Sequence, residues 1–328
     1  MSPTPDEGHV HPHIHPHVSA SISRRTLLQG AAAGFGIAVV ASLSNALPAA
    51  AASSKVTLAG FDAFASSVRT LKSGAYYLVE STGLPPHNMM VGIKNWQQQV
   101  PVPQPYTGSN AWKIPSSPKL SATPISAKSN LFRGAIALAA DGVPIFNALN
   151  NRGEDSYAIG ELDKWGGHCG RADDYHYHVA PLHLSATVGA TKPIAYALDG
   201  FAIYGAKEPT GAAMQPLDEY NGHLFKGSYH YHGTTTYPYI NGGMRGVVTV
   251  KDGQVDPQPV ASPFRPDGAP LPGAVITDFS RSGATTFALT YTLSGGTYHI
   301  DYTATLASVA MTFTDASGKQ SSQTYTRR

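Results

Sequence analysis

The sequence predicts a mostly β protein, with a duplicated core of β-hairpins and histidine-bearing strands joined by long loops and a small antiparallel β module at the C-terminus. Three observations carry this expectation. The tetrapeptide Tyr-His-Tyr-His occurs twice, at 175–178 and 229–232. Residues 136–148 (IALAADGVPIFNA) read against 194–206 (IAYALDGFAIYGA) at a constant offset of 58, which marks an internal repeat rather than a chance motif. The third is composition: 33 Gly and 25 Pro in 328 residues, with 13% charged residues, describe a loop-rich chain.

The first 52 residues read as an address. Ser23-Arg24-Arg25-Thr26-Leu27-Leu28-Gln29 precedes an apolar run at 30–47 and small residues at 49–52. This pattern predicts a twin-arginine signal cleaved near Ala52, with the twin-arginine export machinery as partner and a periplasmic or secreted product. An ordinary secretory signal whose arginines only supply charge is the alternative. Export in the folded state lets a cell load the metal inside, where affinity order alone does not choose the ion. Upstream, His9, His11, His13, His15 and His17 form an alternating metal-binding tract that the cleavage would remove. Nine histidines and one cysteine, Cys169, then remain, so no internal disulfide can form. Beyond residue 52 no stretch is long and apolar enough to span a bilayer. A formal charge of +2 gives no reason to expect nucleic acid.

Residues 55–255 read as the main domain, with repeat units at 136–183 and 194–235. In its first part, residues 61–71 are expected to form one short helix and 75–80 a strand. The prolines of 100–106 and 115–124 restrict those stretches to edge or extended structure. His87, in a Pro-Pro-His-Asn turn, is a less certain metal ligand. Within the units, Asp141-Gly142 and Asp199-Gly200 lie between apolar runs and predict hairpin turns, as does Asp252-Gly253. Six prolines between 256 and 274 predict a semi-rigid linker. Alternation at Phe287, Leu289, Tyr291 and Leu293, and at Tyr298, Ile300 and Tyr302, predicts three or four antiparallel strands in 275–328. So short a module should pack on the main domain or on another chain.

Alternation on a strand puts two imidazoles of each tetrapeptide on one face and two phenols on the other. A Gly-His pair precedes each copy, so the candidate metal ligands are His168, His176 and His178 in the first unit and His223, His230 and His232 in the second. Histidine nitrogens in this number suit a copper or zinc ion. Cys169 and His183 are less certain additions to the first unit. Candidates for a supporting layer are Asp163 and Asp218, as acceptors of ring N–H groups or as turn residues, and Tyr175, Tyr177, Tyr229 and Tyr231, as packing residues or proton and electron donors. The pseudo-twofold arrangement of the units would bring the histidine strands toward a shared centre. The competing structural reading makes the imidazoles partners of carboxylates such as Asp173 and Asp174.

These residues resemble the YHYH protein family of mostly exported bacterial proteins. Gly83-Leu84-Pro85-Pro86-His87, the segment from Asp199 to Gly205, and Tyr237-Pro238-Tyr239 followed by Gly246 resemble it too, over about 76–250. The resemblance implies export but no settled activity. No Gly-x-Ser-x-Gly elbow, phosphate loop or dinucleotide fingerprint is present. The function classes left open are a copper or zinc protein of the cell envelope that does redox chemistry or handles metal, a zinc-dependent hydrolase of an extracellular polymer, and a binding or adhesion module with structural histidines.

Overall fold

The computed structural model describes residues 53–94 and 96–327. The expected signal, the His9 to His17 tract and the cleavage point lie outside the described residues. The protein is mostly β. An N-terminal sheet joins β1 (Ser54–Lys55), β2 (Arg69–Ser73), β3 (Tyr76–Glu80) and β4 (Trp112–Pro115) in that order. The helix expected over 61–71 is absent. A single 3-10 turn covers Phe61–Phe64, and β2 starts at Arg69 because Thr70 and Leu71 pair with Val79 and Leu78. Strand pairing here overrides a weak local helix preference.

β5 (Leu120–Ser126) follows, and then the central sheet: β6 (Ala135–Ala139), β7 (Pro144–Phe146), β8 (Gly167–Cys169), β9 (Tyr175–Tyr177), β10 (Ala195–Ala197), β11 (Ala202–Tyr204), β12 (Gly222–Phe225) and β13 (Ser228–His232). Its order is β12-β13-β11-β10-β6-β7-β9-β8. The repeat is visible strand by strand. β6–β7 and β10–β11 are antiparallel hairpins turned at Gly142 (φ 83) and Gly200 (φ 95), values that glycine adopts without strain. Ile145 pairs in parallel with Tyr177, and Ile203 in parallel with Tyr231. His168 lies opposite His176, and His223 opposite His230. The units meet where Leu138 faces Tyr196, its own counterpart 58 residues on, flanked by Ala139↔Ala195 and Ala137↔Ala197. That register places the pseudo-twofold axis through the pair, perpendicular to the sheet, so both tetrapeptides turn their phenols to one face and their histidines to the other.

The axis does not bring the histidine strands together, as the sequence reading expected. β9 and β13 stand five positions apart in the sheet order, about 24 Å at ordinary strand spacing. The hairpins occupy the middle because they are apolar on both faces: all five residues of β6 are buried, and Ile145, Ala195, Ala197 and Ile203 are fully or almost fully buried.

β14 (Gly243–Gly246) pairs with β5, and β15 (Thr249–Lys251) forms with β16 (Gln254–Asp256) the hairpin expected at Asp252-Gly253. The C-terminal sheet has five strands, not three or four: β17 (Val275–Ser282), β18 (Thr286–Leu293), β19 (Gly296–Ala304), β20 (Ser308–Thr314) and β21 (Gln320–Thr326). β21 is polar and almost wholly exposed, so it carries no apolar alternation to read. Residues 256–274 run against the main body, with Phe264 buried and Arg265 bonded to Asp173 through Nε to Oδ2 and Nη2 to Oδ1, both 2.8 Å.

Candidate metal centres

Each histidine group is assembled by strand register. In the first unit, β8 and β9 place His168 and His176 on one face, and His178 follows two residues beyond His176. Donor atoms of the three lie within 4.8 Å of one another, with Nε2 of His168 3.1 Å from Nε2 of His178. The opposite ring nitrogens are committed to backbone carbonyls. His178 Nδ1 is 2.6 Å from Asn147 O, His176 Nδ1 is 2.9 Å from Asp174 O, and His168 makes a backbone hydrogen bond to Glu161. A carbonyl only accepts, so each such nitrogen carries the proton and a neutral ring turns the Nε2 lone pair inward. Burial, then the neighbouring rings, lowers His168 well below its ordinary value, and burial and His176 take His178 down to about 3.

The second unit repeats the triad and adds a residue the sequence reading missed. Glu208, fully buried, places Oε2 3.1 Å from His230 Nε2 and Oε1 3.3 Å from His223 Nε2. His232 Nε2 is 3.0 Å from His230 Nε2, and its Nδ1 is 2.6 Å from Gly205 O, the counterpart of Asn147. Burial pushes the Glu208 carboxyl up, the Gln215 amide at 2.9 Å and the three rings push it down, and the net shift is downward. Burial takes His230 down to about 4. Nothing in the motif announces Glu208, because the repeat sets it against an asparagine, Asn150.

Cys169 and His183 do not join the first triad. Cys169 is the next residue along β8, so its side chain points to the other face, where burial raises its thiol well above the usual range. His183 lies in the 3-10 turn Leu182–Leu184 and groups with His87 and Asp141 instead. There Tyr177 Oη is 2.9 Å from Asp141 Oδ2 and 2.7 Å from His87 Nε2, while His87 Nδ1 faces the Asn88 carbonyl at 2.7 Å. One hydroxyl proton serves two partners, so either Asp141 or His87 holds an additional proton. Burial pushes Asp141 up to about 7 and takes His87 and His183 down to about 4, which favours the proton on Asp141. Trp165 stacks on His87 at 4.6 Å.

The supporting layer also differs from expectation. Asp163 and Asp218 reach no ring of either triad. They hold the turns before β8 and β12, accepting from the amides of Trp165 and Gly167 and of Tyr220 and Gly222. Each also accepts a phenol, Tyr175 at 2.9 Å and Tyr229 at 2.9 Å. Tyr231 bonds Asp199 as Tyr177 bonds Asp141. All four tyrosines lie on the face away from the histidines, so they anchor carboxylates and fill the core. Asp173 and Asp174 make no hydrogen bond to the triads through their carboxylates, although Asp174 Oδ2 comes within 3.6 Å of His176 Nδ1.

A cavity of about 410 Å³ opens over the first triad. Phe146, stacked on His176 at 4.0 Å, Trp96, Asn150, Lys94, Arg171 and Glu161 are among its walls. No curated protein and no solved structure matches the chain. The stretch that holds the first triad, most of its cavity and the second hairpin, residues 111–213, matches the family model described as YHYH protein, which stops short of the second tetrapeptide.

Proposed function

We propose that this is an exported metal-binding protein of the cell envelope with two copper or zinc centres, one in each unit. The observation that carries this reading is the convergence of lone pairs. His178 and His232, whose Nδ1 atoms face carbonyls, direct Nε2 at the Nε2 of His168 and His230 at 3.1 and 3.0 Å. Two nitrogens at that distance need a proton or a cation between them, and three rings converging on one point suit a cation that all of them can share. A tetrahedral shell with bonds of about 2.0 to 2.1 Å has edges of roughly 3.3 Å, close to the separations found. Imidazole donors suit both zinc and copper, and the neutral ring that burial favours is the ligating state.

The first centre, with three nitrogen donors under a cavity, has the form used for chemistry. The second, with four donors, has the form used for structure or storage. A zinc-dependent hydrolase of an extracellular polymer is the second reading, favoured by the cavity, whose one carboxylate wall residue, Glu161, is paired with Arg152 at 2.7 Å. Elemental analysis of untagged protein should find copper or zinc at about two equivalents. A folded protein free of both metals refutes the reading. Export is tested separately: Arg24→Lys with Arg25→Lys should strand precursor in the cytoplasm, since the guanidinium pair and not charge alone is read. No described helix is long and apolar enough to cross a membrane.

A further inference from the structure

The repeat continues past its obvious end. Asn150 N bonds Glu154 O and Gly153 N bonds Asn150 O, and Glu208 N bonds Ala212 O and Gly211 N bonds Glu208 O in the same way. The bridges Leu149↔Asp155 and Lys207↔Ala213 correspond as well. Asn150 therefore occupies in the first unit the place of Glu208 in the second. The side chains part there. Glu208 points at the three rings of its unit. Asn150 turns to its own loop, with Nδ2 3.0 Å from Glu154 Oε2 and Oδ1 accepting from the amides of Arg152 and Glu154. The cavity over the first triad is lined by Asn150 itself, so it opens on the side from which the glutamate reaches the second triad.

We propose that this one position divides the two centres: Glu208 closes the second, and Asn150 leaves the first with a coordination position that takes an anionic donor group from the cavity. The proposal rests on metal binding as described above. Charge selects the ligand class. A divalent ion held by three neutral rings keeps its full double charge, whereas the glutamate removes one unit of it. The cavity wall adds Lys94 and Arg171, the latter 3.7 Å from exposed Asp267, while Arg152 is paired closely with Glu154 and Glu161. A carboxylate or another small anion fits this balance, and a cationic ligand does not.

The test uses the full mature protein loaded with cobalt(II), whose visible absorption reports its ligands, and azide as the probe anion. Bound cobalt is counted in the same samples. In the wild type azide should alter roughly half of the cobalt absorption, that of the open centre. Glu208→Gln, with Glu208→Ala as a second variant should the first misfold, should make both centres respond. Asn150→Glu, with Asn150→Asp in reserve, should abolish the response of the first. Wild-type protein that binds two cobalt ions but shows azide effects at both or at neither overturns the proposal and leaves metal binding standing. Protein that binds no cobalt overturns both.

Discussion

Burial lowers the imidazoles of His87, His168, His178, His183, His230 and His232, and that shapes how stability depends on pH. His178 is taken down to about 3 and His87, His183 and His230 to about 4. The unfolded chain binds these protons near pH 6.5, so between about 4 and 6.5 it holds more protons than the folded chain, and stability rises with pH across that window. Asp141 works in the opposite sense. Its folded value of about 7 lies above the unfolded value, so its contribution falls as pH rises from about 4 to 7. Burial also lowers His168 and His232 and raises Asp163, Asp173 and Asp199, so six histidines stand against four aspartates. The balance is a net rise, and the thermal midpoint of metal-free protein should climb from pH 4.5 to 6.5. A flat or falling profile would show that the rings are not held neutral. Removing the Tyr177 hydroxyl with Tyr177→Phe takes a partner from buried Asp141 and from His87, a cost of about 1 to 3 kcal/mol in a urea unfolding titration. An unchanged midpoint would contradict the hydrogen-bonded cluster.

The strand pairs that bear the histidines depend on glycines where two chains come closest. A Cβ on Gly167 would lie 2.5 Å from Tyr175 Oη and 2.8 Å from His176 O, and Gly222 meets Tyr229 and His230 in the same way. Gly167→Ala should therefore push β8 away from β9, carry His168 out of its triad and cost about 1 to 3 kcal/mol. Metal analysis should show one equivalent lost, from the first centre; loss from the second instead would disprove local control. At this level much of the molecule is legible in sequence. The tetrapeptides, the Gly-His pairs and the Asp-Gly turns announce hairpins and both triads, because strand period and turn chemistry are local properties. Glu208 is not legible, because its approach to the rings depends on how the loop after β11 folds, with the Gln215 amide holding its carboxylate. Cys169 misleads for a related reason. Adjacency in sequence means opposite faces on a strand, so it cannot join His168 in one group of donors. β21 escapes notice because an exposed edge strand has no apolar face to pattern.

Across the whole chain, residues from distant segments brace the first centre. The Arg265 guanidinium grips Asp173, which also accepts from the Val100 amide, and the next residue supplies the carbonyl that orients His176. Tyr302 bonds Pro101 O, and Arg327 bonds the carbonyls of Pro103 and Ser262 and lies over the Phe264 ring at 3.9 Å. Arg265→Met leaves Asp173 buried without its counter-charge, at a cost of about 3 to 5 kcal/mol. Calorimetry should register that loss, and metal should leave the first centre sooner than the second; equal retention by both would argue against the bracing.

The join of β6 with β10 has one more consequence. Leu138 facing its own counterpart is the contact that two separate copies of a single unit would make with each other, an isologous interface generated by symmetry alone. In such a pair any residue chosen for one centre is imposed on the other. Held in a single polypeptide, the halves are released from that identity, and one can carry asparagine where the other carries glutamate.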